Sequence, residues 1–135
     1  MGRKTILVVD DERKQRQIIR GWLTGHGYAV IEASNCHEAL LVEAGHGEMI
    51  ALLLTDLVLP DGNGYELSKT LREREPDLKV LFVSGQAGAE LRKFLDEPLP
   101  DVHFLRKPFP PEDLLSRVEI LLSSIDPLTD AALKS

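Results

Sequence analysis

A chain of 135 residues with 43% apolar content is long enough for one domain around one core. Its 22 Asp and Glu outnumber 16 scattered Lys and Arg, and the net charge of −6, with no basic arm, speaks against a nucleic-acid footprint. The single cysteine, Cys36, excludes an internal disulfide and a thiolate metal cluster, no apolar stretch approaches the ~20 residues that span a bilayer, and residues 1–5 lack a signal-peptide core, so a reducing, cytoplasmic setting is expected.

Strand-like and helix-like patterns then alternate five times along the chain. Residues 5–9, 50–55, 79–83 and 102–105 are continuous apolar runs, as expected of parallel strands buried on both faces, and 28–32 is a shorter, edge-like run. The first helix, over about 12–24, places Ile18, Ile19, Trp22 and Leu23 on one face and stops at Gly25-His26-Gly27. Asn35 followed by Glu38 reads as a capping box that opens the second. The third, over 65–73, carries Leu67 and Leu71 and stops before Pro76; the fourth, around 88–95, ends at Pro98 and Pro100. The fifth opens with Pro111, Glu112 and Asp113, which suit the positive end of a helix dipole, and buries Leu114, Leu115, Val118, Leu121 and Leu122. Short connections between such units imply right-handed crossovers and a doubly wound α/β sandwich with helices on both faces of a parallel sheet. Residues 124–135 exceed what five units need and form a tail or linker stub after a domain over 1–123, with Asp126-Pro127 able to open a further short helix.

Four of the apolar runs end in residues able to handle a phosphate or a metal. Ile6-Leu7-Val8-Val9 stops at Asp10-Asp11, Ala51-Leu52-Leu53-Leu54-Thr55 at Asp56, Val80-Leu81-Phe82-Val83 at Ser84, and Val102-His103-Phe104-Leu105 at Arg106-Lys107-Pro108. In a parallel sheet all four ends emerge along one edge, where open α/β sheets bind ligands. Each end also has a bland reading. Asp10-Asp11 can cap the first helix, Asp56 can be a loop carboxylate, Ser84-Gly85 a turn and Lys107 a solvated surface lysine. Four such coincidences at four strand ends are harder to accept than one shared site.

These stretches, with Asp56-Leu57-Val58-Leu59-Pro60-Asp61-Gly62-Asn63-Gly64, Val83-Ser84-Gly85 and Arg106-Lys107-Pro108-Phe109, resemble the receiver domain of two-component response regulators over residues 5 to about 122. The Thr55-to-Pro60 stretch and the Val83-Ser84-Gly85 triplet are most similar to receivers attached to hybrid sensor histidine kinases. The resemblance implies a flavodoxin-like fold whose five-stranded parallel sheet has the order 2-1-3-4-5, with the first and third strands meeting at the switch point. It further implies that Asp56 is the phosphoacceptor, that Asp11 binds Mg²⁺ directly and Asp10 largely through water, and that the backbone carbonyl of Val58 supplies another oxygen. Lys107 then neutralises a phosphoryl oxygen, Ser84 donates its hydroxyl to another, and Phe104 turns inward as Ser84 moves.

The chemistry is consistent with those roles. A carboxylate attacking a phosphoryl group is an anion approaching an anion, so the site must supply positive charge. Asp10, Asp11 and Asp56 make an oxygen cage suited to Mg²⁺, which accepts one or two carboxylates, keeps several waters and takes phosphate oxygens. The implied partners are a sensor histidine kinase or a histidine phosphotransfer protein, with no direct nucleic-acid or membrane contact and a phosphorylation-dependent dimer through the fourth helix, fifth strand and fifth helix.

The alternative is a pseudo-receiver, an interaction module independent of phosphorylation. A Mg²⁺-dependent phosphohydrolase would need a second Asp two residues beyond the nucleophile, and position 58 is Val. Val58 and Gln86 stand where, in receivers, residues border the path of attacking water, and an apolar Val58 does not orient it. His26, His37, His46 and His103 lack metal-ligand spacing, with His103 read as a packing or surface residue in a strand. Cys36 reads as a small apolar residue, Trp22 as core, Gly62 and Gly64 as turn residues before the third helix, and Gly85 and Gly88 as flanks of a loop that moves.

Overall fold

A computed structural model describes residues 2–123 apart from positions 94 and 97. Five parallel strands form the central sheet: β1 (Thr5–Val9), β2 (Ala29–Ala33), β3 (Leu52–Asp56), β4 (Lys79–Ser84) and β5 (Phe104–Arg106). They pair in the order β2-β1-β3-β4-β5, as expected. Between them run α1 (Arg13–Gly25), α2 (Cys36–His46), α3 (Gly64–Arg74) and α4 (Gln86–Arg92), and α5 (Pro111–Ser123) closes the domain. The expected tail at 124–135 lies outside the described residues.

Period-two alternation splits the apolar strand residues between two layers. Leu7, Val9, Leu53, Val80, Phe82 and Phe104 face α2 and α3 with Ala39, Leu67 and Leu71. Ile6, Val8, Leu52, Leu54, Leu81 and Leu105 face α1 and α5 with Ile19, Leu23, Leu114, Val118 and Leu121. Each of these large side chains, taken fully out of water, contributes on the order of 1.5–3 kcal/mol, so the two faces hold the sheet as a rigid platform.

Helix ends follow local chemistry. Asn35 caps α2 by accepting from the Glu38 amide at 2.8 Å, and Asn63 caps α3 by accepting from the Glu66 amide at 2.8 Å. Asp61 adds a second cap from a distance in sequence: its two carboxylate oxygens accept the Cys36 and His37 amides at 2.8 and 3.0 Å. A two-residue antiparallel ribbon, Val58–Leu59 with Gly62–Asn63, folds the segment between β3 and α3 so that this contact forms.

Several expectations need correction. Val102 and His103 are not in a strand; they belong to a 3-10 turn, Asp101–His103, and β5 starts at Phe104. The turn wins because Arg117 donates to the carbonyls of Asp101 and Val102 at 3.2 Å and of Phe104 at 2.5 Å, while the His103 amide donates to Pro100 O at 3.1 Å. His103 keeps its packing role, with Nδ1 2.9 Å from Val80 O. The fourth helix begins at Gln86, not Gly88, and ends at Arg92. Ile18 is 48% exposed, because α1 turns only Ile19 and Leu23 fully inward. Trp22 is partly buried, its ring edge-on to Phe109 with centroids 6.3 Å apart.

Candidate functional site

The ends of β1, β3 and β4 and the residue after β5 converge at one edge of the sheet. Asp10 follows β1 directly, donates its amide to Ala33 O at 3.1 Å, and is 3% exposed. Its Oδ1 accepts the Glu12 amide at 2.8 Å, so the side chain is folded back over the turn into α1. Asp11 is exposed beside it. Asp56 closes β3 at 8% exposure, and Ser84 closes β4 at 9%. The Lys107 amide donates to Ser84 O at 2.9 Å, which fixes the lysine at the end of β5, next to a cis Lys107–Pro108 peptide.

Side chains complete the cluster. Lys107 Nζ lies 2.7 Å from Asp56 Oδ1 and 3.5 Å from Asp10 Oδ2. Asp10, Asp11 and Asp56 offer carboxylate oxygens within 4.8 Å of one another. Adjacent ligands of an octahedral Mg²⁺ stand about 3 Å apart and opposite ones about 4 Å, so this all-oxygen set fits such an ion with small adjustments. Burial, with the Asp10 charge adding to it, raises the Asp56 carboxyl to about 7 against the opposing pull of Lys107. For Lys107, burial favours the neutral form, but the carboxylates of Asp56 and Asp10 outweigh it and hold the ammonium above its ordinary range. The cluster is therefore short of positive charge, as a cation-binding site should be.

A cleft of about 290 Å³ opens onto Asp56, and Asp11, Val58, Ser84, Gln86 and Lys107 line it. Val58 is 48% exposed there. Of the residues read from the sequence as metal- or phosphate-handling, Asp11, Asp56, Val58, Ser84 and Lys107 thus share one cleft, and Asp10 stands behind it, within reach of Lys107 and the other two carboxylates. Phe104 does not share it. It pairs in register with Phe82 on the α2/α3 face, their ring centroids 5.4 Å apart, and is already 9% exposed. The guanidinium of Arg92, at the end of α4, lies over its outer face, 3.7 Å from the centroid, and also pairs with Asp101 at 2.6 Å.

Two glycines differ from their expected roles in turns and loops. A Cβ on Gly64 would stand 2.2 Å from Asp56 O, and one on Gly88 would stand 2.4 Å from Ser84 Cβ. Gly88 is a buried residue inside α4 rather than a loop flank. Both glycines let a helix approach the strand end that carries a site residue, and no local pattern announces such a contact. A larger cleft, about 440 Å³, lies away from this site beside the starts of β3 and β4, lined by Met49, Ile50, Arg74, Glu75 and Leu78. It holds none of the clustered acids.

Comparison with known proteins agrees with the geometry. A family model described as the response regulator receiver domain matches residues 6–119. The response regulator receiver protein CpdR of Brucella abortus (strain 2308) is 36% identical over 119 residues, covering 88% of this chain and 97% of that protein. Sensor kinase CckA of the same strain is 34% identical over 125 residues, which span 93% of this chain but 13% of the kinase. Among solved structures, a response regulator receiver protein from Sinorhizobium medicae WSM419 superposes with a TM-score of 0.77 at 28% identity, covering 90% of this chain and 96% of that one. The receiver domain of hybrid histidine kinase CckA gives 0.71 at 28% identity, covering 88% and 99%. The chain spans about half of matching transcriptional regulators, such as the probable regulator ycf27 of Pyropia yezoensis, where it covers 51%.

Proposed function

This chain belongs to the response regulator receiver domain family of two-component signalling, and we propose that it is a phosphoacceptor switch in which Asp56 takes a phosphoryl group from a partner phosphohistidine. The observation that carries this reading is the position of Asp56: at a strand end, flanked by Asp10 and Asp11, with Lys107 Nζ 2.7 Å from its Oδ1 and an open cleft in front of it.

Asp10, Asp11, Asp56 and the Val58 carbonyl would hold Mg²⁺, which when bound supplies the positive charge that lets one anion approach another. Asp56 attacks phosphorus through a carboxylate oxygen; the P–N bond breaks as the O–P bond forms, and the imidazole leaves with the electron pair. Lys107 lies where it can swing from the carboxylate to a phosphoryl oxygen, and Ser84 lines the same cleft with a hydroxyl for another. The product is an acyl phosphate. Movement of Ser84 and Phe104 would carry the state to α4, β5 and α5, the surface proposed for phosphorylation-dependent pairing. The phosphoryl group can shift that equilibrium only by its preference for one arrangement over the other.

A sensor histidine kinase or a histidine phosphotransfer protein is the donor in this reading. Incubation with Mg²⁺ and acetyl phosphate should add a single phosphoryl group, stable in acid and labile in base, and Asp56→Asn should abolish it. Labelling that survives the substitution would place the acceptor elsewhere.

A further inference from the structure

The end of β1 is gripped from the α1 side by a residue with no part in the cleft. Arg16 donates from Nη1 to the carbonyl oxygen of Asp10 at 2.6 Å and from Nε to Glu32 Oε1 at 3.4 Å. Glu32 belongs to β2, and its other oxygen accepts from Arg20 at 2.7 Å. The side chains of Arg16 and Glu32 are 15% and 25% exposed, so the pair is largely withdrawn from solvent. A guanidinium is a rigid fork, and here one arm lies on a neighbouring strand while the other lies on the peptide that joins Asp10 to Asp11.

That peptide decides where Asp11 points. Asp10 is also held through its amide to Ala33 O, its Oδ1 to the Glu12 amide, and its Oδ2 near Lys107. Asp11 is exposed, and among the described residues no hydrogen bond or ion pair holds its carboxylate. Its direction therefore depends on the backbone before it. Resting on the reading of the cleft as a Mg²⁺-dependent phosphoacceptor site, we infer that Arg16 is a positioning residue for the cation: anchored by Glu32, it fixes the Asp10–Asp11 peptide so that the Asp11 carboxylate faces the metal position beside Asp10 and Asp56.

Arg16 has two opposing effects. Its charge alone repels a second cation, so deleting it on electrostatic grounds would tighten Mg²⁺ binding, although Glu32 cancels much of that charge. Its hydrogen bond to Asp10 orients a ligand, and partners behind a metal ligand typically change affinity about 10- to 100-fold when lost. Orientation outweighs repulsion in this geometry.

Calorimetric titration with Mg²⁺ alone separates the two. Arg16→Ala is expected to weaken Mg²⁺ about tenfold and Glu32→Ala by a smaller factor, while Arg20→Ala, which touches only the outer oxygen of Glu32, stays near wild type. Arg16→Lys keeps the charge and loses the fork, so it should also weaken binding. Unchanged Mg²⁺ affinity in Arg16→Ala with a lowered metal-free melting temperature would overturn the inference, since Arg16 would then be structural only. Tighter binding in Arg16→Ala with Arg16→Lys at wild-type affinity would overturn it in favour of charge. Should Arg16→Ala fail to fold, Arg16→Lys and Glu32→Ala decide on the same criterion. Wild-type protein that binds no Mg²⁺ would remove the phosphoacceptor reading itself, and the inference with it.

Discussion

The space where Gly64 would carry a side chain is occupied by Asp56: a Cβ there would lie 2.2 Å from the Asp56 carbonyl oxygen and 2.8 Å from Thr55 Cγ2. A backbone oxygen in a central strand cannot move aside, so Gly64→Ala must push α3 away from β3 or displace Asp56. The expected cost is about 2–3 kcal/mol, in the range of overpacked cores, and the helix propensity of alanine recovers little at the first position of a helix. Thermal melts should show a fall of about 10 °C, and Mg²⁺ affinity should fall with it. Gly85→Ala is the matched control, because nothing lies within 4 Å of its Cβ position. A wild-type melting temperature for Gly64→Ala would mean that α3 stands further from Asp56 than described.

Lys107 bridges Asp56 and Asp10 and is the cation that makes their proximity tolerable without metal. Its side chain is 29% exposed, so solvent screens part of the interaction. Lys107→Ala should lower the metal-free stability by about 1 kcal/mol, less than a fully buried pair would lose. Millimolar Mg²⁺ should raise the melting temperature of the wild type, with about 1.4 kcal/mol gained per tenfold excess over the dissociation constant. The variant should gain more than the wild type, because the ion then neutralises carboxylates that no lysine offsets. Equal Mg²⁺-induced shifts in both proteins would count against a shared cluster.

Asp61 tests a link outside the cleft. Its hydrogen bonds to the His37 and Cys36 amides hold its carboxyl below the usual range. A folded-state pKa below the unfolded one contributes stability that is present above the unfolded value, about 3.9, and is lost as pH falls through the folded value. Asp61→Ala should therefore melt below wild type at pH 7, with the gap closing as the pH drops from about 5 towards 2. A gap that stays constant over that range would show that the cap acts through something other than its charge.

Much of this architecture is legible in the chain because it depends on local signals. Apolar runs give the strands, Asn35 gives the start of α2, and the polar residues just after each run give the edge where the site residues gather. What escaped depends on contacts between residues distant in sequence. Gly64 and Gly88 read as turn or hinge residues because nothing beside them reveals that Asp56 and Ser84 lie against them. Arg16 looks like one more charge on an exposed helix face until the pairing of β1 with β2 brings Glu32 alongside it. Val102 and His103 have strand composition, but the reach of Arg117 to three carbonyls stabilises a turn instead. Ile18 fits the apolar face by spacing, yet α1 turns only Ile19 and Leu23 fully inward and leaves Ile18 half exposed.

The lifetime of phospho-Asp56 should be set by what the cleft offers to water. Val58 and Gln86 both line it, and Val58 is 48% exposed, so an apolar surface faces the approach to Asp56 on that side. It can neither donate to nor accept from an attacking water, and dephosphorylation without a phosphatase is expected to be slower than a half-life of seconds. Val58→Asn adds one hydrogen-bonding group at the same position. A single hydrogen bond made only in the transition state contributes about 1–1.5 kcal/mol, which corresponds to about a tenfold faster loss of phosphate. Because Val58 is exposed, the substitution should leave the fold and the melting temperature nearly unchanged. Following acid-stable label after removal of the phosphodonor measures both rates; a wild-type half-life of seconds, or a Val58→Asn rate equal to wild type, would show that this side of the cleft does not control the water.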